Sequence, residues 1–250
     1  MSLRRRIEDN SGGGMQREYQ RWFSSALGRD MEMLTFGHGG LPVLVFPTSC
    51  GRYYEFEDRH MVASIAQELD AGELQLFCVD SVDAESWYNR DVPPRWRIAR
   101  QMQYQEYILR EVLPYLRQLN ANPNLVALGC SFGGYHAANL AFRYPDLFTG
   151  MFAMSGVFDV SNFLHGYYDE DCYFNLPAHY LPNMTDPWYL DRYRRNSYVL
   201  ATAEHDQCWN ANERMAAILR AKNVPVRLEV WDAPARHDWP WWERMLQTYL

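Results

Sequence analysis

The sequence predicts an α/β fold, with a mostly parallel central sheet flanked by helices. Two observations support this prediction. From residue 41 onward, short apolar runs typical of buried strands alternate with longer helical patterns, and such alternation is typical of parallel strands joined by right-handed crossovers. In addition, the 250 residues are 48% hydrophobic and 15% aromatic, which is enough apolar surface for one sizeable core.

The individual elements follow from local patterns. Residues 41–46, LPVLVF, form a continuous apolar run, which is typical of a strand buried on both faces. Residues 18–27 and 31–36 carry β-favouring side chains on either side of a Gly-Arg-Asp turn, which favours an antiparallel hairpin. The other predicted elements are a helix at 59–69, a strand at 74–79, a helix at 95–119, a strand at 125–128, a helix at 132–143, strands at 150–154 and 198–202, a helix at 211–222, a strand at 226–231 and a last helix beginning near 239.

Two segments depart from this alternation. Residues 1–14 are polar and end in Ser-Gly-Gly-Gly, so we expect a tail or linker there and one folded domain over residues 15–250. Residues 158–193 are rich in aromatic residues, Asp, Asn and Pro among short irregular pieces. Because ligands bind at the carboxyl ends of the strands in such sheets, we expect this segment to be a cap-like insertion over a site.

Charge and composition exclude several classes of function. The net charge of -7 and the pI near 5.5 disfavour nucleic acid as a partner, since phosphate backbones require a positive surface. No run of about 18 uncharged apolar residues occurs, and no apolar stretch follows the basic triplet Arg4 to Arg6, so neither a membrane span nor an export signal is expected. The five cysteines have neither zinc-site spacing nor the density of a disulfide scaffold, which favours a reducing cytoplasm.

The strongest motif is Gly129-Cys130-Ser131-Phe132-Gly133, a G-x-S-x-G sequence between a predicted strand and a predicted helix. In this setting the serine occupies a tight turn that exposes its hydroxyl, and the two glycines avoid clashes with the turn. The helix that follows directs its amino-terminal dipole toward an oxyanion formed at the serine. A glycine-rich turn without catalytic function is the alternative, but the flanking strand and helix favour Ser131 as a nucleophile.

A serine nucleophile requires an oriented imidazole and a carboxylate. His237 follows the last predicted strand and Asp206 follows the strand before it, so both are expected at the same sheet edge as Ser131, in the chain order Ser, Asp, His. Glu204 competes with Asp206 for the role of the acid. The other histidines lie early in the chain, inside the helix after Ser131, in the insertion or beside Asp206 (His38, His60, His136, His165, His179 and His205).

Acyl transfer also requires backbone N–H groups that face the developing oxyanion. The sequence predicts one donor at Phe132, directly after the nucleophile, and a second in the loop PTSCGR, at Ser49 or Cys50. A thiol nucleophile is an alternative, but Cys130 is the wrong member of the elbow motif. Small buried side chains are the favoured role for Cys50 and Cys130.

Aromatic residues near the predicted strand ends are candidates for a substrate pocket. Trp87 and Tyr88 follow the strand at 74–79, and Trp239 lies beside His237. We expect these three side chains to contact substrate, with packing in the core or the cap as the alternative.

Together these motifs resemble the esterase branch of the α/β-hydrolases that includes S-formylglutathione hydrolase (esterase D), enterochelin esterases and mycolyltransferases. The matching sequences are GCSFGGYHAANLAFRYPDLF around Ser131, SWY at 86–88, REVLPYL before the nucleophile strand and HDWPWW around His237. The resemblance covers most of the chain after Gly37 and implies the α/β-hydrolase fold. It also implies a triad of Ser131, Asp206 and His237 and a reaction that uses neither a metal nor an organic cofactor.

The sequence therefore predicts a serine esterase that acts on small-molecule carboxylic esters, with no nucleic acid or membrane partner. An acyltransferase of the same family is the nearest alternative, because an alcohol can replace water in resolving the same acyl-enzyme. A non-catalytic binding protein on the same fold is the alternative from another class. The natural substrate and the oligomeric state stay open.

Overall fold

The computed structural model describes residues 4–7 by their backbone and residues 15–250 in full. Within these ranges the strands form a single nine-stranded sheet in the order β1-β2-β3-β5-β4-β6-β7-β8-β9. The predicted tail at residues 1–14 lies outside the described residues, except for the backbone of β1. The strands are β1 (Arg4–Ile7), β2 (Arg17–Ser24), β3 (Arg29–Phe36), β4 (Leu41–Phe46), β5 (Leu74–Val79), β6 (Val126–Cys130), β7 (Gly150–Met154), β8 (Ser197–Ala203) and β9 (Arg227–Trp231).

The sheet has an antiparallel edge and a parallel centre, as the sequence predicts. Strands β1, β2 and β3 pair antiparallel, and β3 also pairs antiparallel with β5. From β5 through β4, β6, β7 and β8 to β9, all neighbours are parallel. The carboxyl ends of the parallel strands therefore lie at one edge of the sheet, where ligands bind in such folds.

Helices cover both faces of this sheet. A π-helical segment, Ile108–Val112, joins α4 to α5, and 3₁₀ turns cover Ser161–Leu164 and Leu181–Asn183. The helices are α1 (Glu55–Asp58), α2 (Met61–Ser64), α3 (Ala66–Asp70), α4 (Pro94–Tyr107), α5 (Leu113–Leu119), α6 (Phe132–Arg143), α7 (Glu170–Phe174), α8 (Pro177–Tyr180), α9 (Pro187–Arg195), α10 (Trp209–Ala221) and α11 (Trp239–Tyr249). None of the described helices is both long and apolar enough to cross a membrane.

The central strands are apolar throughout because the core lies on both sides of them. In β4, Leu44 and Phe46 pack into one buried cluster, whereas Val43 and Val45 pack into the cluster on the opposite face. Successive side chains of a strand point to opposite faces, so a strand covered on both faces shows no polar alternation. This arrangement explains the run LPVLVF in the sequence.

Two predicted helices differ in detail from the structure. Instead of one helix at residues 59–69, the structure has the two short helices α2 and α3, with α1 just before them. His60, with a left-handed φ of 61°, separates α1 from α2, and the non-helical backbone of Ile65 (φ -124°, ψ 28°) separates α2 from α3. The helix expected at residues 95–119 runs without a break from Pro94 to Leu119 but widens to a π-helix at 108–112. Pro114 lacks an N–H and its ring crowds the preceding turn, and a wider π turn accommodates both effects.

The segment at residues 158–193 lies between β7 and β8. It consists of α7, α8, most of α9 and the two 3₁₀ turns rather than strands of the sheet. Its first residues lie beside the carboxyl ends of the strands and reach the cavity described below.

Candidate active site

Ser131 occupies a strained turn between β6 and α6. Its backbone has φ of 54° and ψ of -116°, a conformation that non-glycine residues rarely adopt. The two glycines of the motif permit this turn: a Cβ on Gly129 would lie 2.2 Å from the backbone of Gly133, and a Cβ on Gly133 would lie 2.4 Å from the carbonyl oxygen of Phe46. The turn therefore has the shape expected of a nucleophile elbow.

Three side chains from separate loops meet at this elbow. The Nε2 atom of His237 lies 3.0 Å from the Oγ of Ser131, and its Nδ1 lies 3.0 Å from Oδ1 of Asp206. Asp206 follows β8 and His237 follows β9, so both reach the carboxyl edge of the sheet from neighbouring parallel strands. The structure thus brings together the residues that the sequence predicts as nucleophile, base and acid.

Asp206 is buried and accepts several hydrogen bonds. Besides His237, the Oγ of Ser155 and the backbone N–H of Cys208 donate to its carboxylate, the latter at 2.7 Å. Burial by itself opposes ionisation, but the bonds from His237, Ser155 and Cys208 outweigh it and hold the pKa of Asp206 below its usual value. An ionised carboxylate at this position fixes Nδ1 of His237 as a donor and leaves Nε2 available to accept the serine proton.

The structure separates the two candidate acids. The side chain of Glu204 is exposed, as is His205, whereas the side chain of Asp206 is fully buried. The hydrogen bond of Asp206 to His237 places it, and not Glu204, beside the imidazole.

Sequence reasoning missed Ser155 and placed Trp242 only in the aromatic run beside His237, without its contacts to Ser155 and His237. Ser155 has φ of 51°, donates to Asp206 and accepts a 2.8 Å hydrogen bond from Nε1 of Trp242. The ring of Trp242 meets that of His237 edge to face, with centroids 4.8 Å apart. Ser155 directly follows β7, so the rule that found Asp206 and His237 at strand ends would also have indicated Ser155.

A cavity of about 510 Å³ opens beside Ser131. Its lining combines the elbow, the loop after β4, the segment after β5 and the start of the 158–193 segment. The lining residues are Ser49, Tyr88, Ser131, Phe132, Val157, Asp159, Ser161, Asn162, Phe163 and Gln207.

The predicted oxyanion donors differ in what their amides contact. Among the described residues, the backbone N–H groups of Phe132 and Ser49 donate to no protein acceptor, and both residues line the cavity. The N–H of Cys50 instead donates to the carboxylate of Asp83, at 3.2 Å. Of the two loop amides among the described residues, that of Ser49 is therefore available for a further hydrogen bond, whereas that of Cys50 is bonded to Asp83.

The predicted buried position is confirmed for Cys130 but is wrong for Cys50, which is exposed in the loop after β4. Burial raises the pKa of the Cys130 thiol well above its usual value, with a smaller contribution from Glu55, and that side chain lies in the core. Partial desolvation and the charge of Asp83 also raise the pKa of Cys50. Since the thiolate is the reactive form, both shifts oppose a thiol nucleophile.

Of the three aromatic residues predicted to contact substrate, the structure places only Tyr88 in the cavity. Trp87 is fully buried, where its Nε1 donates to Gln101 at 3.1 Å. Trp239 packs edge to face on Trp242, and the guanidinium of Arg59 lies 5.5 Å from the centroid of its ring. Trp87 and Trp239 therefore pack in the protein and do not line the cavity.

One group among the described residues has ligand atoms close enough to share a metal ion. These are Asp206, Cys208 and His237, whose candidate atoms lie within 4.8 Å of one another. Burial, reinforced by the charge of Asp206, raises the pKa of Cys208 to about 12, so this thiol is protonated at neutral pH, whereas a metal requires the thiolate. The group fits a proton-transfer unit better than a metal centre.

A mostly parallel sheet that carries a serine on a strained elbow, opposite an imidazole and a carboxylate at the strand ends, defines the class of α/β-hydrolases. Within that class the chain belongs to a family of esterases, since the family model described as "Putative esterase" matches residues 24–250. Both the fold and the family predicted from the sequence are thereby confirmed.

Several solved structures share this fold. A ferulic acid esterase is 18% identical, with a TM-score of 0.76, and the match covers 95% of this chain and 97% of that one. An S-formylglutathione hydrolase from Agrobacterium tumefaciens is 12% identical, with a TM-score of 0.72 and coverage of 97% and 96%. FphF, a fluorophosphonate-binding serine hydrolase of Staphylococcus aureus, is 16% identical, with a TM-score of 0.62 and coverage of 94% and 96%. No curated protein matches the sequence significantly.

Proposed function

We propose that the protein hydrolyses small carboxylic esters through an acyl-enzyme on Ser131. The observation that carries this proposal is the chain of hydrogen bonds from Ser131 through His237 to Asp206. The Oγ–Nε2 and Nδ1–Oδ1 distances are both 3.0 Å. This hydrogen-bonded chain ends at Ser131, whose strained backbone exposes its hydroxyl to a cavity. Membership of an esterase family gives the same reaction class independently.

In the acylation step, Oγ of Ser131 attacks the ester carbonyl while Nε2 of His237 takes its proton. Asp206 keeps the imidazole oriented and stabilises the positive charge that develops on it. The N–H groups of Phe132 and Ser49 donate to the carbonyl oxygen as it becomes an oxyanion. When the tetrahedral intermediate collapses, His237 returns the proton to the departing alcohol.

In the deacylation step, water takes the place of the alcohol. His237 removes a proton from that water, the resulting hydroxide attacks the acyl carbon, and the proton passes to Oγ of Ser131 as the carboxylic acid leaves. The same two N–H groups stabilise the second oxyanion. The cycle therefore uses only side chains and backbone groups of the chain itself.

The cavity indicates the kind of ester that fits. Its volume suits a small or medium-sized molecule, and the rings of Tyr88 and Phe163 meet edge to face with centroids 4.8 Å apart. Flat apolar groups pack well against such an aromatic pair. We further propose that residues 158–193 act as a cap, since Asp159, Ser161, Asn162 and Phe163 supply part of the cavity wall.

The first test is hydrolysis of p-nitrophenyl acetate and butyrate, with a fluorophosphonate probe and peptide mass spectrometry. The wild-type protein is expected to hydrolyse both esters and to carry the probe on Ser131, and Ser131→Ala is expected to lose both properties. An inert wild-type protein that the probe does not label would contradict the proposal.

The identity of the acid has its own matched pair of variants. Asp206→Asn is expected to lower kcat by about 10³- to 10⁴-fold, because the amide no longer holds the reactive tautomer of His237. Glu204→Gln removes a carboxylate two residues away whose side chain is exposed, and its kcat should stay within about twofold of wild type. A larger loss in Glu204→Gln than in Asp206→Asn would reverse the assignment.

A further inference from the structure

A second histidine–aspartate pair, His136 and Asp83, lies beneath the elbow and is not part of the proposed Ser131–His237–Asp206 triad. Nε2 of His136 lies 2.8 Å from Oδ1 of Asp83, and both side chains are only 1% exposed. No reactant can reach a pair buried to this extent. Burying a carboxylate is costly, which raises the question of what the buried Asp83 holds in place.

His136 connects this pair to the helix that carries one oxyanion donor. It lies on α6, whose first residue is Phe132. The rings of His136 and Phe132 meet edge to face, with centroids 5.4 Å apart, and Phe46 and Tyr104 pack against the same imidazole. The imidazole is thus held between the nucleophile helix and strand β4, which leads into the oxyanion loop.

Asp83 connects the same pair to the loop that carries the other donor. Its second carboxylate oxygen, Oδ2, accepts the N–H of Cys50 at 3.2 Å. Cys50 has a left-handed backbone with φ of 56°, a strained conformation for a residue with a side chain. The peptide unit that links Ser49 to Cys50 is therefore held by the carboxylate of Asp83.

The backbone of Asp83 fixes Ser49 from another direction. Its carbonyl oxygen accepts the N–H of Tyr88 at 2.9 Å, and the hydroxyl of Tyr88 donates to Oγ of Ser49 at 2.7 Å. Ser49 is therefore constrained on one side through Cys50 and on the other through Tyr88. Both constraints lead back to Asp83.

We propose that Asp83 is a positioning residue that sets the distance between the two oxyanion donors, Phe132 and Ser49. The inference rests on the proposed esterase function. One buried carboxylate bonds to the helix of the first donor through His136 and to the loop of the second donor through Cys50. Oxyanion stabilisation depends on donors that are already in place before reaction, and a displacement of about 1 Å in such a site is costly in rate.

The principal variant is Asp83→Ala, measured with p-nitrophenyl acetate at a temperature well below its unfolding transition. We expect kcat to fall about 10- to 100-fold with KM within about twofold, since the substrate cavity is kept but a donor is displaced. The pH at which kcat/KM is half-maximal should not move, because His237 and Asp206 are untouched. Asp83→Asn can still accept from Cys50 and should restore most of the rate.

Glu111→Ala is the matched control. Glu111 is also a buried carboxylate that accepts several hydrogen bonds, from Trp22, Ser24, Ser25 and the N–H of Ala26, but these partners belong to the β2–β3 hairpin. It should lower the thermal transition while kcat of the folded protein stays within about twofold of wild type. A fall in kcat no greater in Asp83→Ala than in Glu111→Ala would overturn the inference.

If Asp83→Ala does not fold, His136→Phe tests the same positioning role of Asp83. The phenyl ring fills the space of the imidazole but cannot bond to Asp83, so kcat should fall with KM and the pH profile unchanged. An unaltered kcat in folded His136→Phe would overturn the inference. A wild-type protein that is inert and unlabelled at Ser131 contradicts the proposed function itself, which is a different result.

Discussion

The two histidine and aspartate pairs on either side of the elbow have the same chemical groups and nearly the same spacing, 3.0 Å for His237–Asp206 and 2.8 Å for His136–Asp83. They differ in what the second nitrogen of the imidazole can reach. His237 is 18% exposed and its second nitrogen meets Ser131 at the cavity, whereas His136 is sealed among aromatic rings. The two pairs therefore differ in access to the cavity and not in their chemical groups. Access is what allows His237, and not His136, to act as the proposed base.

Alanine at each histidine gives the largest expected contrast. His237→Ala should lower kcat by about 10⁴-fold or more, because it removes the proposed base. The change in the unfolding transition should be small, because His237 is partly exposed and Asp206 keeps its hydrogen bonds from Ser155 and Cys208. His136→Ala should lower kcat by only about 10- to 100-fold. It should also lower the free energy of unfolding by about 3–5 kcal/mol, because Asp83 then remains buried without this partner. Steady-state kinetics and denaturant unfolding measure both effects. Equal losses of kcat in the two variants would contradict the assignment of a catalytic role to His237 and a structural role to His136.

The next contrast concerns Ser155, which ties Asp206 to Trp242. Ser155→Ala leaves the Nε1 donor of Trp242 and one oxygen of Asp206 without this partner, so we expect about a 10-fold loss of kcat and about 1–3 kcal/mol of stability. Ser155→Gly loses the same hydrogen bonds, but glycine adopts the φ of 51° without strain. It should therefore be about 1 kcal/mol more stable than Ser155→Ala, while the two variants have the same kcat. If glycine restored the activity, the hydroxyl would have no part in it.

Acid unfolding tests the ionisation of Asp206. Hydrogen bonds to its carboxylate hold the folded pKa below the unfolded value of about 4. Its contribution to stability is therefore fully present above about pH 4 and is lost as the pH falls through the folded pKa. The stability difference between wild type and Asp206→Asn, followed by urea unfolding, should shrink on acidification below about pH 4. A difference that grows on acidification would contradict the lowered pKa.

The smallest expected effect belongs to a third pair, Asp159 and His179, which are 3.2 Å apart and 32% and 26% exposed. Burial opposes ionisation of Asp159, but hydrogen bonds from Ser161 and His179 lower its pKa, so a negative charge lies on the cavity wall. Asp159→Asn should lower kcat/KM for acetylthiocholine about 2- to 5-fold relative to a neutral ester, less at high salt. Asp191→Asn, a surface control on α9, should leave this ratio unchanged.

Much of the fold was predictable because its signals are local. The run LPVLVF, the helix after Ser131 and the order of strands and helices all follow from periodicity, and α6, β5 and β7 match the predicted bounds. Pro114 was visible in the sequence, but the π turn before it depends on the helix continuing across a proline, which tertiary packing decides. His60 gives no local signal of its left-handed backbone.

The sequence by itself determined the elbow, because G-x-S-x-G between a strand and a helix is a local pattern and the clash at Gly129 is with Gly133 of the same turn. The clash at Gly133 is with Phe46 of the neighbouring strand and belongs to the tertiary structure. The sequence also determined the chain order of serine, acid and histidine. Only the tertiary structure decided between residues that are close in sequence: Asp206 faces inward and Glu204 outward, and Tyr88 lines the cavity while Trp87 is buried. Such choices depend on which side of a loop faces the core, and that is set by contacts with distant segments, which no local pattern records.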